Sequence, residues 1–374
     1  MELIEFTAAW FRNLDVERMH FAADANIILG SNGVGKTSLL EAIFVLGNLR
    51  SFRSSSLHRA VQHGKSNFRV EGIIKSTGGT HRLEQSVEVG PPVQRTLRVD
   101  GSDVSVGQYL QFFPVIAISG ADHELVSGGP QTRRALLDRF VFLVHPPYLE
   151  ELRSYRRAVR QRNAALTAGA GEAELEAWEK PLAKAAGTVV SARAEGAKTL
   201  AGYFADIYEK LRGEDSPAIE PSYRTEGWLD PSEGRQKVED LYQQRYNETR
   251  ARDRLAGFTG DGPHRHDLSL RTAGRSIRYT VSSGQAKVVA AALRLATFAH
   301  VEKERHEQFP VIVDDVDAEL DGPALARLVD HLGNERQVFL SSTNDGIAAL
   351  FDSRSRQIWL DKGAIVRQEA EAHD

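Results

Sequence analysis

Four short runs in the chain are apolar without interruption: Ile27-Ile28-Leu29, Val115-Ile116-Ala117-Ile118, Val311-Ile312-Val313 and Val338-Phe339-Leu340. Runs of this length predict strands covered on both faces, and Val115–Ile118 is short enough for a central strand. A Gly-rich turn follows the first run, and Ser38 to Phe44 then has helical apolar spacing. From about 66 to 118 the pattern alternates through Phe68, Val70, Leu83, Val87, Leu97 and Val99. Breaks at Gly78-Gly79, Gly90-Pro91-Pro92 and Asp100-Gly101 predict antiparallel hairpins. From about 122 to 255 Arg, Ala, Leu and Glu dominate, and between 131 and 213 proline is confined to Pro146, Pro147 and Pro181. Several long helices are predicted there, with a looser segment near 213–235. Glycines at 257, 260 and 262 precede an Ala/Leu-rich helix, Ala286 to Ala299. The last two apolar runs flank a helix predicted from Pro323 to Leu332, with proline where a helix tolerates it best. An α/β pattern at both ends of a helical block predicts a discontinuous domain, 1–121 with 256–374, carrying an inserted helical lobe at 122–255.

Composition narrows the class. The 374 residues suffice for one large domain or two ordinary ones. An apolar fraction of 41% with 26% charged residues excludes disordered and fibrous classes. Lys+Arg 47 against Asp+Glu 51 leaves a net charge of −4, so a nucleic-acid partner would have to be held by a local basic patch. With no cysteine there is no disulfide or thiolate metal site, which permits a reducing compartment. The start, MELIEF, has acids where a secretory signal would have Lys or Arg. The longest apolar stretch is interrupted by Lys287 and Arg294. A cytoplasmic protein with no membrane partner is expected.

Residues 30–37, GSNGVGKT, match the pattern G-x-x-x-x-G-K-[ST] between a strand and a helix. A phosphate chain needs backbone N–H groups aimed inward, which Gly30, Gly33 and Gly35 permit. Lys36 would reach the terminal phosphates, and Thr37 would offer a hydroxyl to Mg²⁺. Ser31, Asn32, Val34 and Ser38 complete the candidate nucleotide contacts. Residues 310–315, PVIVDD, are a hydrophobic strand ending in two acids. Beside a phosphate loop, Asp314 is placed on Mg²⁺ and Asp315 near the attacking water as its base. ATP and Mg²⁺ are the cofactors expected.

Residues 281–285, VSSGQ, directly precede a helix. In isolation they read as a helix cap, yet serines at a helix N-terminus also suit an anion. Their order changes the reading. Phosphate loop, Ser-Gly-Gln helix start, DD strand and then ELD at 319–321 is the order of ABC-type ATPase heads. In that class Ser282, Ser283, Gly284 and Gln285 contact the ATP of a second head, so two nucleotides join a homodimer. Asp321 is expected at the seam.

Seven segments in order resemble the RecF family of recombination-mediator ATPases, relatives of SMC heads, over nearly the whole length. They are FRNL (11–14), RSFR (50–53), SGGPQTRRALLD (127–138), Tyr155 with RQRNAAL (160–166), GPHRHDL (262–268), SSGQAKVVAAALRLA (282–296) and PVIVDDVDAELD (310–321). The resemblance implies an ABC-type P-loop ATPase head of α/β class with an antiparallel β subdomain and an inserted helical lobe. It implies that FRNL is an N-terminal strand with Arg12 against the adenine, and slow, DNA-stimulated ATP hydrolysis used as a switch. It further implies binding at gapped duplex or ssDNA/dsDNA junctions, cooperation with RecR and RecO to load RecA, and a role in the SOS response. Three departures stand out: His266 replaces the family's usual Asp, SGADH (119–123) replaces S-P-E-D-L, and SSTND (341–345) lies where transporters carry a switch His.

Two modest basic segments are candidates for DNA. Residues 48–70 hold Arg50, Arg53, Arg59, Lys65 and Arg69 without an acid. Residues 131–163 hold Arg133, Arg134, Arg139, Arg153, Arg156, Arg157, Arg160 and Arg162, of which Arg133 and Arg134 could equally form structural ion pairs. Backbone recognition rather than sequence readout is expected. His123, His145, His264 and His266 lack metal-site spacing, and His264 is expected to bond within its Gly-Pro turn. Trp10 is a candidate border of the nucleotide pocket. Rival functions are a transporter ATPase subunit, a defence-system ATPase paired with a nuclease and, most weakly, a small GTPase or nucleoside kinase.

Overall fold

The computed structural model describes residues 1–370 apart from Asp15, Ser55, Asn334 and residues 352–354. The chain divides into two compact units, one of Met1–His123, Ile207–Ser216 and Ser282–Asp374, the other of Glu124–Asp206 and Pro217–Val281.

Among the described residues, the first unit contains two six-stranded sheets. The antiparallel one, in the order β2-β1-β4-β5-β6-β7, uses β1 (Glu2–Ala9), β2 (Val16–His20), β4 (Asn67–Ser76), β5 (Gly79–Glu88), β6 (Gln94–Val99) and β7 (Ser102–Asp103). Its alternating residues bury one face, as at Phe68, Val70 and Ile74. FRNL is not a strand: it is the turn between β1 and β2, tied down by an isolated bridge from Phe11 to Val61. The other sheet, in the order β15-β14-β3-β13-β12-β8, comprises β3 (Ala25–Leu29), β8 (Ile116–Ile118), β12 (Val311–Val313), β13 (Val338–Ser342), β14 (Ser355–Asp361) and β15 (Ala364–Ala370). All neighbours are parallel except β14 with β15. β8 therefore lies at the sheet's end instead of its centre. It is nonetheless fully apolar, because α8 (Ser283–Arg305) packs over it.

The helix after β3, α1 (Lys36–Asn48), is buried at nearly every position, which is why its apolar spacing is so dense. The unit's remaining helices are α2 (Val106–Tyr109), α9 (Val316–Glu319) and α10 (Gly322–Leu332), the last capped by Asp321.

The second unit is mainly helical, with α4 (Pro130–Val144), α5 (Tyr148–Thr167), most of the 40-residue α6 (Glu172–Leu211) and α7 (Arg235–Ala256), after the short α3 (His123–Ser127). The looser segment contains β9 (Glu220–Arg224), which pairs with β10 (Asp267–Thr272), itself paired with β11 (Arg275–Ser276). This unit runs past residue 255 to Val281, because β10 pairs with β9 and Arg133 holds Asp267 through two 2.9 Å bonds.

Candidate functional site

The loop from β3 into α1 floors a cleft of about 380 Å³ in the first unit. Gly30 has φ +143°, and a Cβ there would sit 2.6 Å from the Leu360 carbonyl oxygen, so only glycine lets the loop turn beneath β14. Gly35 precedes α1 in the left-handed region, and no side chain caps the helix. Its first N–H groups are thus left for an anion.

Lys36 is buried, and its Nζ donates to the carbonyls of Gly30 (2.6 Å) and Ser31 (3.1 Å). Burial lowers its pKa, while the charges of Asp315, Asp314 and Asp317 oppose that shift. The Thr37 hydroxyl donates to Asp314 Oδ1 (3.0 Å), and the Ser341 hydroxyl donates to the same oxygen (2.8 Å). Burial raises the pKa of Asp314, and these two hydrogen bonds pull it back down. A hydroxyl and a carboxylate converging at the edge of a phosphate cleft are hard oxygen donors of the type Mg²⁺ takes. Asp315 takes up left-handed geometry (φ +53°), donates its N–H to Ser341 Oγ (2.7 Å) and presents an exposed side chain to the cleft.

Several site residues escaped the sequence pattern. Val313 pairs with Leu340 in the parallel ladder, so Asp314 and Ser341 leave adjacent strands side by side. The signal was a serine directly after an apolar run, meaningful only once the register is known. Asn13 accepts from Ser38 Oγ (2.8 Å) and lines the cleft. Glu41, fully buried on α1, grips Arg12 through Nε (2.5 Å) and Nη2 (2.7 Å), accepts from Ser51 Oγ (2.5 Å) and lies 3.6 Å from Arg53. Arg12 and Arg53 both line the cleft, so Arg53 belongs to the cleft wall as well as to a basic segment. Trp10 lies outside this cleft; its ring faces Lys65 Nζ, 5.3 Å from the centroid.

The Ser-Gly-Gln element does not line the cleft of its own chain. Ser282 and Gln285 form a reciprocal cap, Ser282 N to Gln285 Oε1 (3.0 Å) and Gln285 N to Ser282 Oγ (3.2 Å), leaving Ser283 and Gly284 exposed at the start of α8. Asp321 Oδ1 accepts from Ala324 N (2.8 Å). Asp317 accepts from Ser342 Oγ (2.7 Å) and Thr343 N (2.9 Å), so the segment after β13 is braced by a carboxylate. In SGADH, Asp122 caps its own turn and holds Arg294 of α8 through Nε (2.8 Å) and Nη2 (2.5 Å).

The second basic segment splits in two. Arg133 pairs with Asp267, Arg134 donates to the His266 carbonyl (2.6 Å), and Arg156 lies 3.7 Å from Asp138. Arg162 is no DNA candidate: it is fully buried against Asp253 (2.7 Å), Glu179 (3.1 Å) and Thr259 (3.0 Å). Removing one partner of such a network leaves buried charge uncompensated. Arg162→Ala is therefore expected to lose about 3–5 kcal/mol of stability, read as a lowered denaturation midpoint. Arg157 and Arg160 are exposed. His266 is buried and meets Tyr223 (2.5 Å), Tyr242 (3.1 Å) and the Glu226 carboxylate, so a structural cluster stands where the family's usual Asp would be. His264 bonds Tyr155 (2.6 Å) and the Thr259 carbonyl (3.2 Å); burial lowers its pKa. Among the described residues no helix is long and apolar enough to cross a membrane.

Residues 2–363 match the RecF/RecN/SMC N terminal domain family. The chain is 33% identical over 349 residues to the DNA replication and repair protein RecF of Anaeromyxobacter sp. (strain K), covering 92% of this chain and 93% of that one. It is 31% identical to RecF of Cronobacter sakazakii, with 98% and 99% covered. Among solved structures it superposes on the recombination mediator protein RecF with ATP in the RecFOR pathway with a TM-score of 0.88 and 25% identity, covering 98% of this chain and 97% of that one. An SMC head bound to the C-winged helix domain of ScpA shares the fold alone, at a TM-score of 0.55 and 15% identity, with 98% and 97% covered.

Proposed function

From the premise that this chain belongs to the RecF family, we propose that it is an ATP-binding DNA-repair protein whose nucleotide acts as an assembly switch. The observation that carries the reading is the division of labour around the cleft. Lys36, Thr37 and Asp314 gather at one cleft, whereas Ser283 and Gly284 stand exposed outside it. A second copy supplies the natural destination for that exposed helix start. Two ATP molecules would join two heads, with Asp321 at the seam.

Thr37 and Asp314 would hold Mg²⁺, which supplies charge neutralisation for the phosphates. Lys36 leaves the loop carbonyls for the terminal phosphates. Asp315 orients the attacking water and takes its proton. Arg12 and Arg53, held by Glu41, face the nucleotide from the other wall. Hydrolysis, slow and stimulated by DNA, releases the dimer.

The DNA is a gapped duplex or an ssDNA/dsDNA junction, contacted through its backbone by exposed residues such as Arg157 and Arg160. RecR and RecO act with it in the cytoplasm, and RecA is the recombinase loaded in repair, replication and the SOS response. Sizing with and without ATP and a gapped duplex, at two salt concentrations, tests the reading. An ATP-dependent dimer that holds DNA and loses it steeply with salt is expected. Hydrolysis unaffected by any duplex or junction would favour a transporter subunit.

Ser283→Arg places a bulky cation on the exposed helix start and is expected to block dimers while monomers still bind nucleotide. Loss of ATP binding itself, measured by equilibrium titration, would mean that the contact is made within one chain.

A further inference from the structure

The second unit carries a basic arm unused by the cleft. β10 and β11 form a hairpin, Arg271 opposite Ser276 and Thr272 opposite Arg275, continued by a helical turn at Ile277–Tyr279. From Leu268 to Val301 the chain has no Asp or Glu. The inner face of the hairpin is fixed, with Leu268, Leu270 and Ile277 buried and β10 paired to β9 from Asp267 to Arg271. Asp267 is in turn held by Arg133.

Arg271, Arg275 and Arg278 are all exposed along the arm, Arg271 and Arg275 on opposite sides of the hairpin, beside Tyr279, which is 83% exposed with the Arg278 guanidinium 5.5 Å from its ring centroid. Many exposed arginines elsewhere are neutralised, as in Arg82 with Glu71, Arg98 with Asp103 and Arg235 with Glu239. Among the described residues the three arm arginines make no ion pair. Glu220 stands opposite Arg271 in the ladder but outside ion-pair distance.

We propose that this arm is a nucleic-acid clamp: its three arginines take backbone phosphates, and Tyr279 stacks on an unpaired base where duplex gives way to single strand. This deepens the DNA-binding reading and rests on it. Like charges on a rigid hairpin repel one another, and a polyanion relieves that repulsion. The planar guanidinium fork fits phosphate, and an exposed phenol offers a sequence-tolerant face to a base. A buried inner face keeps the arm's spacing fixed, so little ordering is needed on binding.

The test uses the full chain carrying Arg271→Ala/Arg275→Ala/Arg278→Ala, or Tyr279→Ala. Binding to blunt and gapped duplexes is titrated across salt, with ATP-driven sizing in parallel. The triple variant should weaken binding to both DNAs and reduce the slope of log affinity on log salt by about 2–3, near 0.9 per phosphate released. Tyr279→Ala should weaken gapped duplex by about 5- to 100-fold and spare blunt duplex. If the unaltered protein binds neither DNA, the functional reading itself fails. If it binds and the triple variant keeps the same slope, the clamp alone is wrong. Unchanged DNA binding with lost ATP-driven dimers would overturn it too, by assigning the arm to an acidic protein surface.

Discussion

Lys36→Ala is expected to abolish both ATP-driven dimerisation and hydrolysis, with turnover falling by about 100-fold or more. The lysine is the one side-chain cation carried by the loop itself, and its Nζ already sits 2.6 Å from the Gly30 carbonyl at the cleft floor. Three carboxylates, Asp314, Asp315 and Asp317, bear on the same space. Without the ammonium, a triphosphate would face that negative field without the one cation carried by the loop, and losing one donor aimed at developing charge is worth about 10²–10³ in rate. The loop should survive, because the lost partners are two carbonyl oxygens at a half-open cleft. Thermal unfolding near the parent midpoint, with no nucleotide-dependent shift in elution volume, is the expected pair of results. Normal dimers with ATP would remove Lys36 from the mechanism.

Asp315→Asn is expected to give the opposite phenotype: dimers form with ATP and then persist. The substitution keeps the side chain's size and leaves the N–H bond to Ser341 Oγ in place, so the left-handed turn is retained. It removes the carboxylate that would accept a proton from water, a contribution of about 10²–10⁴ in rate. Single-turnover hydrolysis should slow by about 100-fold or more while the ATP-dependent elution shift remains. Full turnover would place the base elsewhere. Asp317, whose Oδ2 already accepts from Ser342 and Thr343, would be the next carboxylate to substitute.

The two variants differ because one removes a group that binds the nucleotide before reaction and the other a group needed only during it. The helix-start variant Ser283→Arg adds a third phenotype, intact binding without assembly. Together the three separate occupancy, assembly and turnover.

Much of the α/β unit was legible in the chain. The phosphate loop, the strand ends at Asp314 and Asp315 and the Ser282 cap are each specified by a few neighbouring residues, because a loop that must bend at Gly30 and a helix that must start at Ser283 need particular local chemistry. β8 was misplaced because an apolar run reports burial, and packing against α8 buries an end strand as well as a central one. The pairing of β9 with β10 was invisible because its partners lie 43 to 51 residues apart and include Pro221.

Charge was the hardest feature to read. Arg162 and Arg157 look alike in a basic helix, yet helical spacing buries the first with Asp253, 91 residues away, and exposes the second. Arg53 looked like part of a surface patch until Glu41 and the cleft wall were brought beside it. The sequence by itself determined the Gly-rich loop before α1 and the pair of acids at the end of β12, since backbone geometry and strand termini are local. Only the tertiary structure decided which arginines are structural, which face the cleft and which stand free, because an ion pair is made by whatever the fold brings within a few ångströms.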